Sequence, residues 1–357
     1  MWHENWDAAR EHHLAWWQHE GFVVSTGWLP LLGQALREHV PDPGPPASLE
    51  QRYTDASWRA KHAHHTLARQ CLAADVAPIA STDIGPGSLA TFLGSEPGLA
   101  EDTVWYHPCI SDPDTHPPLR FSAENRWWRI HEAVIQTCVD QSQDCYYVGC
   151  PDLIENIDTL ASLRGTEQML IDLIERPAWV HTKLAEINQA FFEAYDRIYA
   201  MIAHPDGSAA FGAFRLWAPG KMAKVQCDAS AMLSPRMFAD MMAPWLEEQC
   251  HWLDYAIFHL DGADCTQHLD CLLGIESLDA IEWTPNPGVP RGDDPHWYPM
   301  YRRILDAGKS VQIMDVSKHR VIPMLQDLGS AGLYLAVDDL NSAEELEALY
   351  VSVEPYR

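Results

Sequence analysis

Short apolar runs alternate with longer stretches of helical period through the second half of the chain. Lys224 to Asp228, Tyr255 to Leu260, Leu278 to Trp283, Ser310 to Met314 and Gly332 to Val337 each read as a strand. Helical pattern follows most of them, over Pro235 to Leu253, from His268 to Leu273, over Pro299 to Ala307, near 319–328 and at 342–350. The repeated strand, loop and helix predicts parallel pairing, because a crossover helix returns the chain to the same edge direction. In the first half, Val76 to Ile79 and Asp144 to Cys150 read as strands, and Thr103 to Tyr106 as a short excursion. Helices are expected at 4–20, 48–74 and 124–141, with two over 166–204 broken near Pro177. Ser48 with Gln51 three positions on has the form of a capping box.

The expected strands end in polar residues: Asp228, His259 with Asp261, Glu282, Asp315, and Asp338 with Asp339. In a barrel of parallel strands these ends converge on one mouth, where chemistry is done. GxGxxG and Walker A patterns are absent, which disfavours the nucleotide-binding doubly wound folds. The fold class expected is therefore α/β, a (β/α)8 TIM barrel over 75–357 with an N-terminal helical extension over 1–74.

Composition narrows the partners. Against 24 Lys and Arg stand 51 Asp and Glu, a formal net charge of −27. Such a surface repels phosphate backbones and anionic lipid, so nucleic acid and membrane are not expected partners. A cationic or neutral small molecule suits it, and an anionic one needs a local Arg or Lys pocket. No apolar run reaches the roughly 18 residues that span a bilayer. The segment Met1 to Trp6 has no secretory pattern, so a cytoplasmic location is expected. The nine cysteines form no CxxC pair and read as reduced thiols. Fifteen tryptophans, including the pairs Trp16-Trp17 and Trp127-Trp128, read as core or subunit packing, or as the wall of a flat ligand site.

His259 and Asp261 are two apart on a strand, and period two puts both on one face. An imidazole beside a carboxylate can exchange protons, bind a metal, or simply order the rim. Gln226 and Asp228 share a face in the same way, with Asp228 a candidate ligand carboxylate or a helix cap. Glu282 and Trp283 precede a rigid Pro-rich loop, and a Trp at a mouth can stack on substrate. Asp83, Tyr147 and Asp152 complete the candidate substrate contacts. The second His-Leu-Asp, His268 to Asp270, reads as a helix cap. Cys150 has no base near it in sequence, and neither GxSxG nor HExxH occurs, which disfavours nucleophilic hydrolases and zincins.

Several of these segments together resemble the uroporphyrinogen decarboxylase-like superfamily. They are Gln226 to Ser230 leading to Leu233-Ser234-Pro235, Phe238 and Pro244; Phe258 to Gly262; Ile281 to Pro285; Gly308-Lys309; and Gly332 to Tyr334. The resemblance covers most of 75–357. Its porphyrinogen decarboxylases carry an RQAGR-type motif that this chain lacks, so it points to the branch related to corrinoid methyltransferases. Thiol-activating members hold zinc with His-x-Cys and a later Cys. Here position 261 is Asp and no Cys follows Cys271. The resemblance therefore implies zinc or another divalent ion on His259, Asp261 and a late carboxylate, Asp338. It implies a methyltransferase acting with a corrinoid carrier protein or a small methylated substrate, and a homodimer. His259 and Asp261 would bind the metal or move a proton, while Asp228 and Glu282 orient substrate. A cofactor-free decarboxylase or lyase, with His259 protonating a carbanion, and a non-catalytic small-molecule binder are the alternatives.

Overall fold

A computed structural model of the protein describes residues 1–27, 29–30 and 39–357. In chain order its strands are β1 (Val23–Thr26), β2 (Ile79–Ala80), β3 (Glu96–Leu99), β4 (Val104–His107), β5 (Tyr147–Val148), β6 (Ala209–Phe211), β7 (Leu216–Ala218), β8 (Met222–Gln226), β9 (Tyr255–Asp261), β10 (Ala280–Thr284), β11 (Ser310–Val316) and β12 (Leu333–Val337). Six of them form one parallel sheet in the order β1-β12-β11-β10-β9-β8. β2 and β5 pair in parallel, and a single bridge from Cys150 to Phe211 carries the pairing on to β6.

This is a barrel-like α/β architecture, but the described strands do not close into the continuous hydrogen-bonded (β/α)8 ring expected. Among the described residues the ring is open between β1 and β2 and again after β6. Instead of running on as a full strand, the chain turns at 212–215 and pairs β6 antiparallel with β7. The segment 1–74 also differs from a purely helical extension, since β1 pairs with β12 at the edge of the main sheet. The other elements follow their local signals. Ser48 Oγ accepts from Gln51 N at 3.1 Å to start a helix, which Asp55 then divides into Leu49–Thr54 and Ala56–Ala68. The excursion at Val104 is a hairpin with β3, and Pro177 opens the helix Pro177–Ile202. Among the described residues no helix is long and apolar enough to cross a membrane.

Period two divides the sheet into two faces of different chemistry. Val225, Phe258, Leu260, Ile281, Trp283, Val311, Ile313 and Leu335 point outward into the main core shared with the helices. Across the inner face the register aligns Gln226, His259, Glu282, Gln312 and Tyr334 in one row. Below that row Trp16 and Trp17 join Val23, Met222, Ile257 and Ala280 in a separate apolar cluster that floors the interior. Their indole N–H groups donate to Gly332 O at 3.1 Å and to Trp217 O at 2.8 Å, which lets two tryptophans be buried without an unmet donor.

Asp75 joins the two ends of the chain to this frame. Its buried carboxylate accepts from Val24 N at 2.9 Å, bonds His12 Nδ1 at 2.8 Å and pairs with Arg357 Nη2 at 2.8 Å. Burial pushes its pKa up, yet His12, Arg357 and the Val24 N–H outweigh burial and hold it below the ordinary carboxylate value. Asp75→Ala removes the buried charge on which Val24 N, His12 and Arg357 converge and should cost about 3–5 kcal/mol in urea unfolding. Because the folded pKa is the depressed one, the contribution is complete above the ordinary carboxylate range. It should fade only as the pH falls through the lowered value, and the variant's stability deficit should shrink there.

Candidate functional site

The inner row sets the site. His259 and Glu282 are register partners, and their side chains meet through His259 Nδ1 and a Glu282 oxygen. Thr284, one step further along the same face, donates from Oγ1 to the other Glu282 oxygen at 2.6 Å. Glu282 is entirely buried. A carboxylate there must be given donors to stay charged, and these two donors fix the imidazole's orientation in return. Nε2 is then the ring atom available to a ligand. Phe214 packs on the ring, centroid to centroid 5.0 Å. Burial alone would lower the His259 pKa, but the Glu282 charge and hydrogen bond override it and leave it raised.

Two residues on from Gln226 and from His259, toward the strand exits, stand Asp228 and Asp261. Donor atoms of Asp228, His259 and Asp261 all lie within 4.8 Å of one another. Burial, then the neighbouring Asp158 charge, push the Asp228 pKa up to about 6, with His259 and Lys224 opposing. A cavity of about 580 Å³ adjoins Asp228, which alone of the three donors lines it, together with Asp158, Tyr106, Trp105 and Met232 among others.

A second tier of buried polar groups holds the first. Asp158 accepts from Asp228 N at 2.7 Å, Ala229 N at 2.9 Å and Gln226 Nε2 at 3.3 Å. Lys224 lies two residues before Gln226 on the inner face. Its ammonium donates to Gln226 Oε1 and pairs with Asp152 at 2.7 Å. Glu155 accepts from Gln226 N at 2.7 Å, and burial pushes its pKa up to about 8. Ile154 and Asn156 flank it with φ of +43° and +57°. This conformation is strained for a β-branched residue, and strain of that kind collects at working sites. Asp83 accepts from Asp152 N at 2.6 Å and from Ser81 Oγ at 2.6 Å, and burial followed by Asp152 raises its pKa.

Of the residues expected at the site, the structure thus gathers His259, Asp261, Asp228, Gln226, Glu282, Asp152 and Asp83 in two connected tiers. Three fall elsewhere. Asp338 does not join His259 and Asp261: its carboxylate pairs with Arg291 at 2.7 Å, and Asp228 takes its place in the donor group. Trp283 cannot stack on a ligand at the mouth, because period two turns it opposite Glu282 into the outer core against Trp297. Tyr147 packs in the cluster of Trp6 and Trp217, where its hydroxyl accepts from Trp6 Nε1 at 3.1 Å. The second His-Leu-Asp starts the short helix Leu269–Leu273 with His268 at its N-cap position, but the imidazole makes no capping bond: His268 Nε2 lies on Ser230 O at 2.8 Å, and Asp270 pairs with Arg303. Lys224, Glu155 and Asp158 were not singled out in sequence. A lysine inside an apolar strand is a readable signal for the first, whereas Asp158 on the helix Asn156–Arg164 has none.

Glu282→Gln removes the charge that most raises His259 and leaves burial and Lys224 opposed by Asp228 alone. The imidazole should then titrate below the ordinary histidine value and not above it, which NMR of the histidine side chains reads directly. Lys224→Met strands Asp152 in a low-dielectric site and should cost about 3–5 kcal/mol in chemical unfolding.

The chain matches no protein-family model and no curated protein. Among solved structures it is similar to a methyltransferase from Methanosarcina mazei, at 10% sequence identity and a TM-score of 0.64. The match covers 96% of this chain and 98% of that one. At such identity the likeness establishes the fold, and it does so over almost the whole length, the N-terminal segment included.

Proposed function

We propose that this protein is a methyltransferase-type enzyme of the uroporphyrinogen decarboxylase-like kind, working at a divalent ion held by Asp228, His259 and Asp261. The observation that carries this reading is the convergence of one nitrogen and two oxygen donors within 4.8 Å at the strand exits, with Glu282 fixing the histidine from behind. That donor set fits a divalent ion. It is harder than a thiolate set, so it suits zinc or a less thiophilic metal and an oxygen-bearing substrate. When bound, the ion supplies Lewis acidity toward a substrate heteroatom. The chain's own residues do the rest. Glu282 orients the imidazole, Asp158 holds the Asp228 backbone in place, and Lys224 offsets the concentrated negative charge. The adjoining cavity has room for a small methylated substrate, and a corrinoid carrier protein is the partner that this chemistry calls for. The likeness in fold to a methyltransferase agrees with it.

A second reading rests on the raised His259 pKa: a protonated imidazole can donate to a carbanion in a metal-free lyase reaction. Elemental analysis separates the two. One zinc or cobalt per chain is expected after loading, lost in His259→Ala and Asp228→Ala, and weakened about 10–100-fold in Glu282→Gln. Mixing the loaded protein with methylcob(III)alamin and a thiol or alcohol acceptor should produce the cob(I)alamin spectrum. Full turnover by metal-free protein, or unchanged turnover by His259→Ala, would overturn the assignment.

A further inference from the structure

The turn between β6 and β7 crosses the inner face of the sheet. Phe214 lies on the His259 ring, Gln312 Nε2 donates to Phe214 O at 2.8 Å, and the Tyr334 hydroxyl donates to Arg215 O at 3.0 Å. These three contacts reach β9, β11 and β12, so the turn sits within the interior and not outside it. Arg215 extends from it toward the exit of β1. A Cβ on Gly27 would stand 3.3 Å from Arg215 Nη2, so the glycine gives the guanidinium its room.

Arg215 is half-buried, and among the described residues no carboxylate lies within ion-pair distance of it and its guanidinium makes no hydrogen bond. Burial lowers its pKa, and among the described residues no acid opposes that. In a chain with 51 acidic residues this is an uncommon arrangement, since a guanidinium brings five donors that burial obliges it to use. Its backbone is also held at φ +54°, a conformation that a non-glycine residue adopts at a cost of order 1–3 kcal/mol. The other cation of the interior, Lys224, is already neutralised by Asp152. Among the described residues Arg215 is thus an open positive charge at the strand exits.

We propose that Arg215 is a substrate-recognition residue that binds a carboxylate of the substrate. This rests on the mouth being the active site, as in the reading above, but not on the metal. The planar fork of a guanidinium matches the two oxygens of a carboxylate. A phosphate dianion is disfavoured, because one guanidinium would have to offset two charges. Phe214, next in sequence, gives the carboxylate's body an aromatic surface close to His259.

Isothermal titration with benzoate, benzamide and inorganic phosphate tests this. The wild-type protein should bind one benzoate, with benzamide and phosphate each at least tenfold weaker. Arg215→Asn removes the charge while keeping a residue that accepts the left-handed backbone. It should weaken benzoate tenfold or more and yet melt at or above the wild-type temperature, which a merely structural arginine would not do. Arg215→Lys keeps the charge without the fork and should fall between the two. Absent benzoate binding, equal binding of benzamide, tighter binding of phosphate, or benzoate affinity unchanged in Arg215→Asn would each overturn the proposal. The same titration on His259→Ala should still show the Arg215 dependence. A failed metal assignment and a failed carboxylate assignment are thereby told apart.

Discussion

A carboxylate with no access to water must find its hydrogen bonds inside the protein, and Glu282 finds them because of sheet register. Its position opposite His259 and its two-residue spacing from Thr284 place a ring nitrogen and a hydroxyl against its two oxygens. A shift of one residue between β9 and β10 would turn Glu282 into the apolar outer core and bring Trp283 inward. Register, ring orientation and the charge state of His259 are therefore one constraint seen three ways. The donor group of Asp228, His259 and Asp261 depends on it, since it is the fixed ring that gives the group its geometry.

The second tier shows how such a concentration of acid is tolerated. Asp152, Glu155, Asp158 and Asp228 surround a single buried ammonium, Lys224. Two of these acids also take backbone donors: Asp158 from Asp228 N and Ala229 N, and Glu155 from Gln226 N. Burial, and after it the charge that these contacts do not offset, raises the pKa values of Glu155 and Asp228, so part of the cluster holds protons near neutrality. Arg215, unpaired in the same interior, stands outside this internal balance.

The apolar side of the interior is as constrained as the polar one. Trp16 and Trp17 come from the first helix, far in sequence from the strands they cover, and close the interior beneath Tyr334 and Ile257. That floor keeps water from the low end of the sheet while the exits stay open to a cavity beside Asp228. Asp75 pins β1 and the C-terminal Arg357 to the same edge, so both ends of the chain are tied to the frame that carries the site.

The alternation along each strand was enough, by itself, to place His259 with Asp261 and Gln226 with Asp228 on shared faces, because side-chain direction in a strand depends only on parity. The same parity applied to Glu282 already implied that Trp283 points the other way, away from any ligand at the mouth. The repeating order of strand and helix likewise determined the parallel sheet of β8 to β12. Tertiary structure decided what no local pattern encodes. Asp228 and not Asp338 completes the donor group, since Arg291 captures Asp338 across a gap of 47 residues. β1 enters the sheet from a segment with helical neighbours, and the 212–215 turn folds inward at one of the two places where the described strands leave the ring open. Asp158 reaches the site from a helix 70 residues before the strand exit it supports. These are contacts between distant residues, fixed by packing and by which charge finds which counter-charge, and a chain read one segment at a time contains no distance between its segments.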